Sequence, residues 1–212
     1  MEIEKLKRVV RLEEGAEIVI RPLVEEDKEK FIEFFDRFDD REVRYLADNI
    51  KDTEMVKKWI EELDYTRVLP LIALHNDKVV ASVAMRFDPR ERRSHVAVLS
   101  ILLDRNYKEK GIIVGMTSAC DKIATSVGVE KLKIETPTID VYALERASLW
   151  GYSREATLIN EFKVGDEYHD VAVFTKYVKM GALHPPKVIE EFDDMSKFTL
   201  PREERIKERY RW

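Results

Sequence analysis

One stretch governs what this chain can fold into: Leu99-Ser-Ile-Leu-Leu-Asp-Arg-Asn-Tyr-Lys-Glu-Lys-Gly111-Ile-Ile-Val-Gly115-Met-Thr-Ser-Ala-Cys-Asp-Lys-Ile-Ala124. It opens on an apolar run too short for a helix of its own. It closes on a longer run whose apolar residues, Ile112, Ile113, Met116, Ala119, Cys120 and Ile123, recur at helical spacing. Between them lies a charged hinge, Asp104 to Lys110, ending at Gly111. The spacing predicts strand, loop and helix. A glycine at a helix entrance lets a ligand approach the backbone closely, and the N–H groups of a first helical turn favour an anion. Lys108 and Lys110 add positive charge there. The hinge therefore suits a phosphate or pyrophosphate, although the same pattern also serves as a plain connection.

Composition narrows the function classes. Of 212 residues, 44% are hydrophobic, enough to bury a core, and 37% are charged with both signs interspersed. The net charge of −5 points to neither nucleic acid nor anionic lipid. Charge-rich usage without glutamine suggests a thermophile. One cysteine, Cys120, excludes an internal disulfide and fits a reducing cytoplasm. Its mid-helix place on the apolar side marks it as core. No secretory leader or membrane-length apolar run is visible, so a cytoplasmic protein is expected. Four scattered histidines and one cysteine show no metal-ligand spacing, so no metal is expected.

Alternating residues at Lys7–Leu12 and Glu17–Leu23, around Glu14-Gly15, predict a hairpin. Glu25–Phe38 predicts an amphipathic helix burying Phe31, Phe34, Phe35 and Phe38. Glu54–Leu63 predicts another, with Thr53 as N-cap and Met55, Val56, Trp59, Ile60 and Leu63 inward. Pro70–His75 and Lys78–Phe87 read as strands joined by the tight turn Asn76-Asp77. Ser94–Leu103 leads into the hinge, Lys131–Thr136 follows the Gly111 helix, and Ile139–Trp150 predicts a helix capped by Gly151. Glu155–Val164 and Tyr168–Val178 form a last hairpin around Gly165-Asp166. In Lys131–Thr136 the period of two puts Leu132, Ile134 and Thr136 on one face and Lys131, Lys133 and Glu135 on the other. A mixed sheet with helices on both faces satisfies this order.

The hinge string Lys108-Glu-Lys-Gly111-Ile-Ile113 resembles the pyrophosphate loop of the GNAT superfamily of acyl-CoA N-acyltransferases. There, Arg or Gln, two residues, Gly, any residue and then Gly or Ala cradle coenzyme A. Lys108 stands at the Arg or Gln position and Ile113 at the small one. Ile18-Val-Ile-Arg-Pro-Leu23, Trp150-Gly-Tyr152 and Asp170 also resemble family strings. Leu12-Glu-Glu-Gly15, Arg21-Pro-Leu, Asp27, Phe34-Phe35 and Leu63-Asp-Tyr-Thr-Arg67 resemble more narrowly the acyltransferases of protein lysines. That subgroup's glutamate on the strand before the hinge is absent from His95–Ser100.

The resemblance implies an α/β fold with a mixed, mainly antiparallel sheet of about seven strands and helices on both faces. It covers residues 1–179, leaving 180–212 as a charged extension: a solvated helical tail, or a docking arm ending in Tyr210 and Trp212 for a homodimer partner. It implies acetyl-CoA as co-substrate and an amine acceptor, small molecule or protein, with no nucleic acid or membrane as partner. The backbone at Leu102 and Leu103 would hold the pantetheine arm. Lys108, Lys110, Gly111, Ile112 and Ile113 would hold the pyrophosphate. Asp140 takes the place of an asparagine beside pantetheine, or simply complements its helix dipole. The family's leaving-group tyrosine falls at Ala147, leaving Tyr142 as the nearby acid. Glu135, five residues before Asp140, matches the general base of ribosomal-protein N-terminal acetyltransferases, or is an ordinary ion-paired strand glutamate. His95 is a second candidate base. The other class of function is a GNAT-fold binding or assembly module without catalysis.

Overall fold

The computed structural model describes residues 6–12, 15–46, 49–108 and 110–179. The hairpin turn at Glu14 and everything proposed for 180–212 lie outside them. Eight strands form one sheet in the order β1-β2-β3-β4-β5-β6-β8-β7. They are β1 (Arg8–Arg11), β2 (Glu17–Pro22), β3 (Val68–His75), β4 (Lys78–Phe87), β5 (Val96–Leu103), β6 (Lys131–Pro137), β7 (Ser153–Val164) and β8 (Glu167–Tyr177). Every neighbouring pair is antiparallel except β5 with β6. The short β1 continues the sheet at its edge, which brings the count to eight where about seven were expected. Asn76 and Asp77 take φ of 49° and 64°, as a two-residue hairpin turn between β3 and β4 requires.

Helices cover both faces. On one face lie α4 (Ile112–Val127) and the short α5 (Val141–Arg146). The apolar stripe of α4, Ile112, Ile113, Met116, Ala119, Cys120 and Ile123, is buried as its spacing requires, in one cluster with Ile20 on β2, Leu71 on β3 and Val83 on β4, the strands it contacts most. Cys120 is fully buried, and the loss of water pushes its thiol pKa up, so it is an inert core residue. On the other face lie α1 (Lys28–Asp36), α2 (Asp40–Val43) and α3 (Thr53–Glu61). The four phenylalanines of the first helical segment pack there with Val56, Ile60, Ile72 and Val79.

Three local expectations are corrected. The helix of residues 25–38 begins as a 3-10 turn over Glu25–Asp27, because Asp27 turns inward to Arg21. The N-cap of α3 is Asp52, whose carboxylate accepts from the Met55 N–H at 3.0 Å, and Thr53 is the first helical residue. Met55 is 38% exposed, since it lines a cavity between α3 and the sheet instead of packing into the core. No helix among the described residues is long and apolar enough to cross a membrane.

Candidate active site

The parallel pair β5–β6 is incomplete. Its register runs Val96↔Lys131, Ala97↔Leu132, Val98↔Lys133 and Leu99↔Ile134, then stops. Beyond that point β5 stays with β4 through Ser100↔Ala84 to Leu103↔Ala81, while β6 stays with β8 through Glu135↔Val173 to Pro137↔Val171. The two strands diverge, and a cleft of about 1050 Å³ opens between them. Period-two alternation assigns its walls. Ile101 and Leu103 turn toward the α4 face and Leu102 toward the α1–α3 face. By the β5–β6 register, Glu135 shares the face of Ser100 and Leu102. The divergence is thus a passage from one side of the sheet to the other.

At the α4 side the passage begins at the hinge. Asp104 fixes the start of the hinge: its buried carboxylate accepts from the Asn106 N–H at 3.0 Å and from Arg37 at 2.9 Å. Its own N–H donates to the Val80 carbonyl at 2.9 Å. Burial favours the protonated acid, but the Asn106 N–H and the Arg37 guanidinium outweigh it and hold the carboxyl below its usual range. Gly111 then enters α4 with φ +72°, a left-handed conformation that disfavours any other residue, and a Cβ placed there would meet no atom within 4 Å. The first turn of this 16-residue helix has no side-chain cap from Gly111. The helix therefore presents N–H groups beside open space, as an anion requires. Lys108 lines the cleft, with its ammonium 4.7 Å from the centre of the Tyr142 ring.

Of the ten predicted site residues, seven line the cleft: Leu102, Leu103, Lys108, Ile113, Glu135, Asp140 and Tyr142. Lys110, Gly111 and Ile112 flank the cleft in sequence without lining it. The Lys110 ammonium lies 5.8 Å from the Tyr107 ring centre, and Ile112 is core. Ile113 is 3% exposed and belongs to the core cluster while also lining the cleft. Asp140 caps α5, accepting from the Ala143 N–H at 3.1 Å. Glu135 is half-buried and pairs with Lys133 at 2.6 Å. His95 is exposed at the opposite end of β5, where its carbonyl accepts from the Glu130 and Lys131 N–H groups, and it does not line the cleft. Ala147 is buried, so the position of the family tyrosine faces packed core.

Sequence reading missed the far wall. Tyr45, just after α2, stacks on Phe162 of β7 at 6.2 Å between ring centres and meets His169 of β8 edge-on at 5.2 Å. Glu161 and Arg86 also line the cleft, and Arg86 donates to the Ser100 hydroxyl at 2.8 Å. Only the capping-box spacing Asp39…Glu42 signalled α2 in the sequence. Among the described residues, no three or more His, Cys, Asp or Glu gather as a metal site.

The acetyltransferase (GNAT) domain model matches residues 20–173. No curated protein matches the chain in sequence. Among solved structures, the GNAT domain of PAT from S. lividans superposes with a TM-score of 0.67 at 16% identity, covering 82% of this chain and 97% of that one. Ribosomal-protein-alanine N-acetyltransferase from Brucella melitensis gives 0.63 at 20% identity, covering 74% and 98%. A GNAT-family acetyltransferase from Streptococcus pneumoniae gives 0.61 at 18%, covering 76% and 99%. At these identities the likeness establishes the fold. The matched domain runs from β2 into β8 and contains both sides of the β5–β6 divergence, and on that match the chain belongs to the GNAT acetyltransferase family.

Proposed function

We propose that the protein transfers the acetyl group of acetyl-CoA directly to a protein amine, a lysine or an N-terminus. The observation that carries this reading is the divergence after Leu99↔Ile134, with an anion-suited helix entrance on one face and Glu135 on the other. In it, the coenzyme pyrophosphate rests at Gly111 and Lys108, and the pantetheine arm lies along the backbone of Leu102 and Leu103. Glu135 takes a proton from the acceptor ammonium, directly or through one water. The amine then attacks the thioester carbonyl, the C–S bond breaks, and Tyr142 or water protonates the departing thiolate. The name of the Brucella neighbour specifies a ribosomal-protein alanine, which favours a protein amine here.

A second reading, a binding module without turnover, draws on Ala147, which replaces the family acid with a buried methyl group. Calorimetry with acetyl-CoA and free coenzyme A tests the shared part: binding is expected, and its absence at millimolar concentration would defeat both readings. A peptide and polyamine screen then separates them. Turnover supports the enzyme, and tight binding without turnover on any amine supports the module.

A further inference from the structure

A second cavity adjoins the cleft on the α1–α3 face of the sheet. Its sheet wall is Ser82, Ala84 and Arg86 of β4 with Ser100 and Leu102 of β5, and its helical wall includes Phe35, Val56 and Trp59. Arg86, Ser100 and Leu102 line both spaces, so the cavity opens beside the part of β5 that leaves β6. Its volume is about 110 Å³. An apolar cavity of about 150 Å³ is known to take a benzene ring, so this one has room for a chain of a few carbons.

We infer that this cavity receives the acyl chain, and that the protein transfers acyl groups longer than acetyl, with butyryl-CoA a better donor than acetyl-CoA. The inference rests on the reading that acyl-CoA lies in the β5–β6 passage. The cavity begins at Ser100 and Leu102, where the thioester end of a pantetheine arm on Leu102 and Leu103 would arrive. Its walls are mainly hydrocarbon, which favours an alkyl chain over water. The acceptor is the less suited occupant. It arrives as an ammonium ion, and among the described residues no Asp or Glu lines this cavity to receive it, whereas Glu135 and Glu161 line the cleft. The chemistry is unchanged and balances for any chain length: the amine nitrogen forms the C–N bond, the C–S bond breaks, and the thiol carries away the proton the amine loses.

Calorimetry of the full chain with coenzyme A, acetyl-CoA, butyryl-CoA and hexanoyl-CoA tests this. Burying the two additional methylenes of butyryl is expected to tighten binding about tenfold over acetyl-CoA. Ala84→Leu fills the cavity from β4 outside the cleft. It should leave acetyl-CoA affinity within about twofold and erase the butyryl advantage. Val56→Ala enlarges the cavity and should move the preference toward hexanoyl-CoA, which keeps the test open if Ala84→Leu fails to fold. A profile that is flat or falls from acetyl onward, or one that neither variant alters, overturns the inference while leaving acetyl transfer standing. Failure of coenzyme A itself to bind would instead defeat the underlying reading, and this inference with it.

Discussion

Glu135 and Asp27 are two carboxylates in very different surroundings. Glu135 lies half-buried in the cleft, beside the Lys133 ammonium at 2.6 Å, and we propose it as the base for the acceptor amine. Glu135→Gln is expected to lower turnover about a hundredfold with acetyl-CoA affinity unchanged, as loss of a general base does. An unaltered rate and pH profile would remove it from the mechanism. Asp27 is buried and held by both Arg21 guanidinium nitrogens, at 2.5 and 2.7 Å, and by the Val24 N–H at 3.1 Å. Burial favours its protonated form, but Arg21 and the Val24 N–H outweigh that and hold the carboxyl below 3.8. A carboxyl depressed by folding contributes stability that is complete above its unfolded value and is lost as pH falls through the folded one. Asp27 and Asp104 both have this sign, so urea denaturation should show stability falling below about pH 4. Asp27→Asn should flatten that slope and cost roughly 2–3 kcal/mol at neutral pH, because Arg21 loses its counter-charge. Glu135 was named through the resemblance to ribosomal-protein N-terminal acetyltransferases, and the period of two in β6 gave only its face. The Arg21–Asp27 pair is not legible that way, since period and propensity do not show which charged residues a fold turns inward.

At the level of elements, the hinge and α4 carry the largest burden. The left-handed backbone at Gly111 is the conformational reason for glycine, and the space where its Cβ would stand is open. Gly111→Val should abolish coenzyme A binding by calorimetry while circular dichroism and cooperative unfolding persist, at a stability cost of about 1–2 kcal/mol for the strained backbone. Lys108→Ala should weaken binding more mildly, about fivefold, as loss of one partly screened charge does. A Gly111→Val protein that binds normally would place the pyrophosphate elsewhere. The long elements were legible because each carries a strong period: the stripe of α4, the phenylalanines of α1, and the alternation in β6. Element α2 escaped because four residues, Asp40–Val43, are about one helical turn and show no period. With it went the Tyr45–Phe162 contact, which joins residues more than a hundred positions apart. For Asp140, the helix-capping bond and the place on the cleft wall belong to one residue, and sequence could not weigh one against the other.

At the scale of the molecule, the last strand among the described residues, β8, ends at Tyr177. We propose that residues 180–212 are an appendage to this domain. A chain ending at Lys179 is then expected to keep one cooperative thermal transition, and its global unfolding would make the last segment part of the core. The succession of strands and helices along the chain followed from the sequence, because turns and periods fix each element locally, and the mainly antiparallel sheet followed from the family resemblance. The divergence of β5 from β6 did not, because both strands read as unbroken and only pairing across the sheet shows where they part. That divergence has a thermodynamic side. From Ser100 onward, β5 faces β6 as an inner sheet edge, a row of backbone groups for which β6 supplies no ladder partner. In the proposed mode, an amide-bearing arm laid along it would act as a borrowed strand beside the eight described. The donor molecule is then part of the architecture as well as the chemistry. At a hundred times its dissociation constant it should add about 2.7 kcal/mol to the stability of the fold, making the protein most resistant to heat when it is charged for reaction.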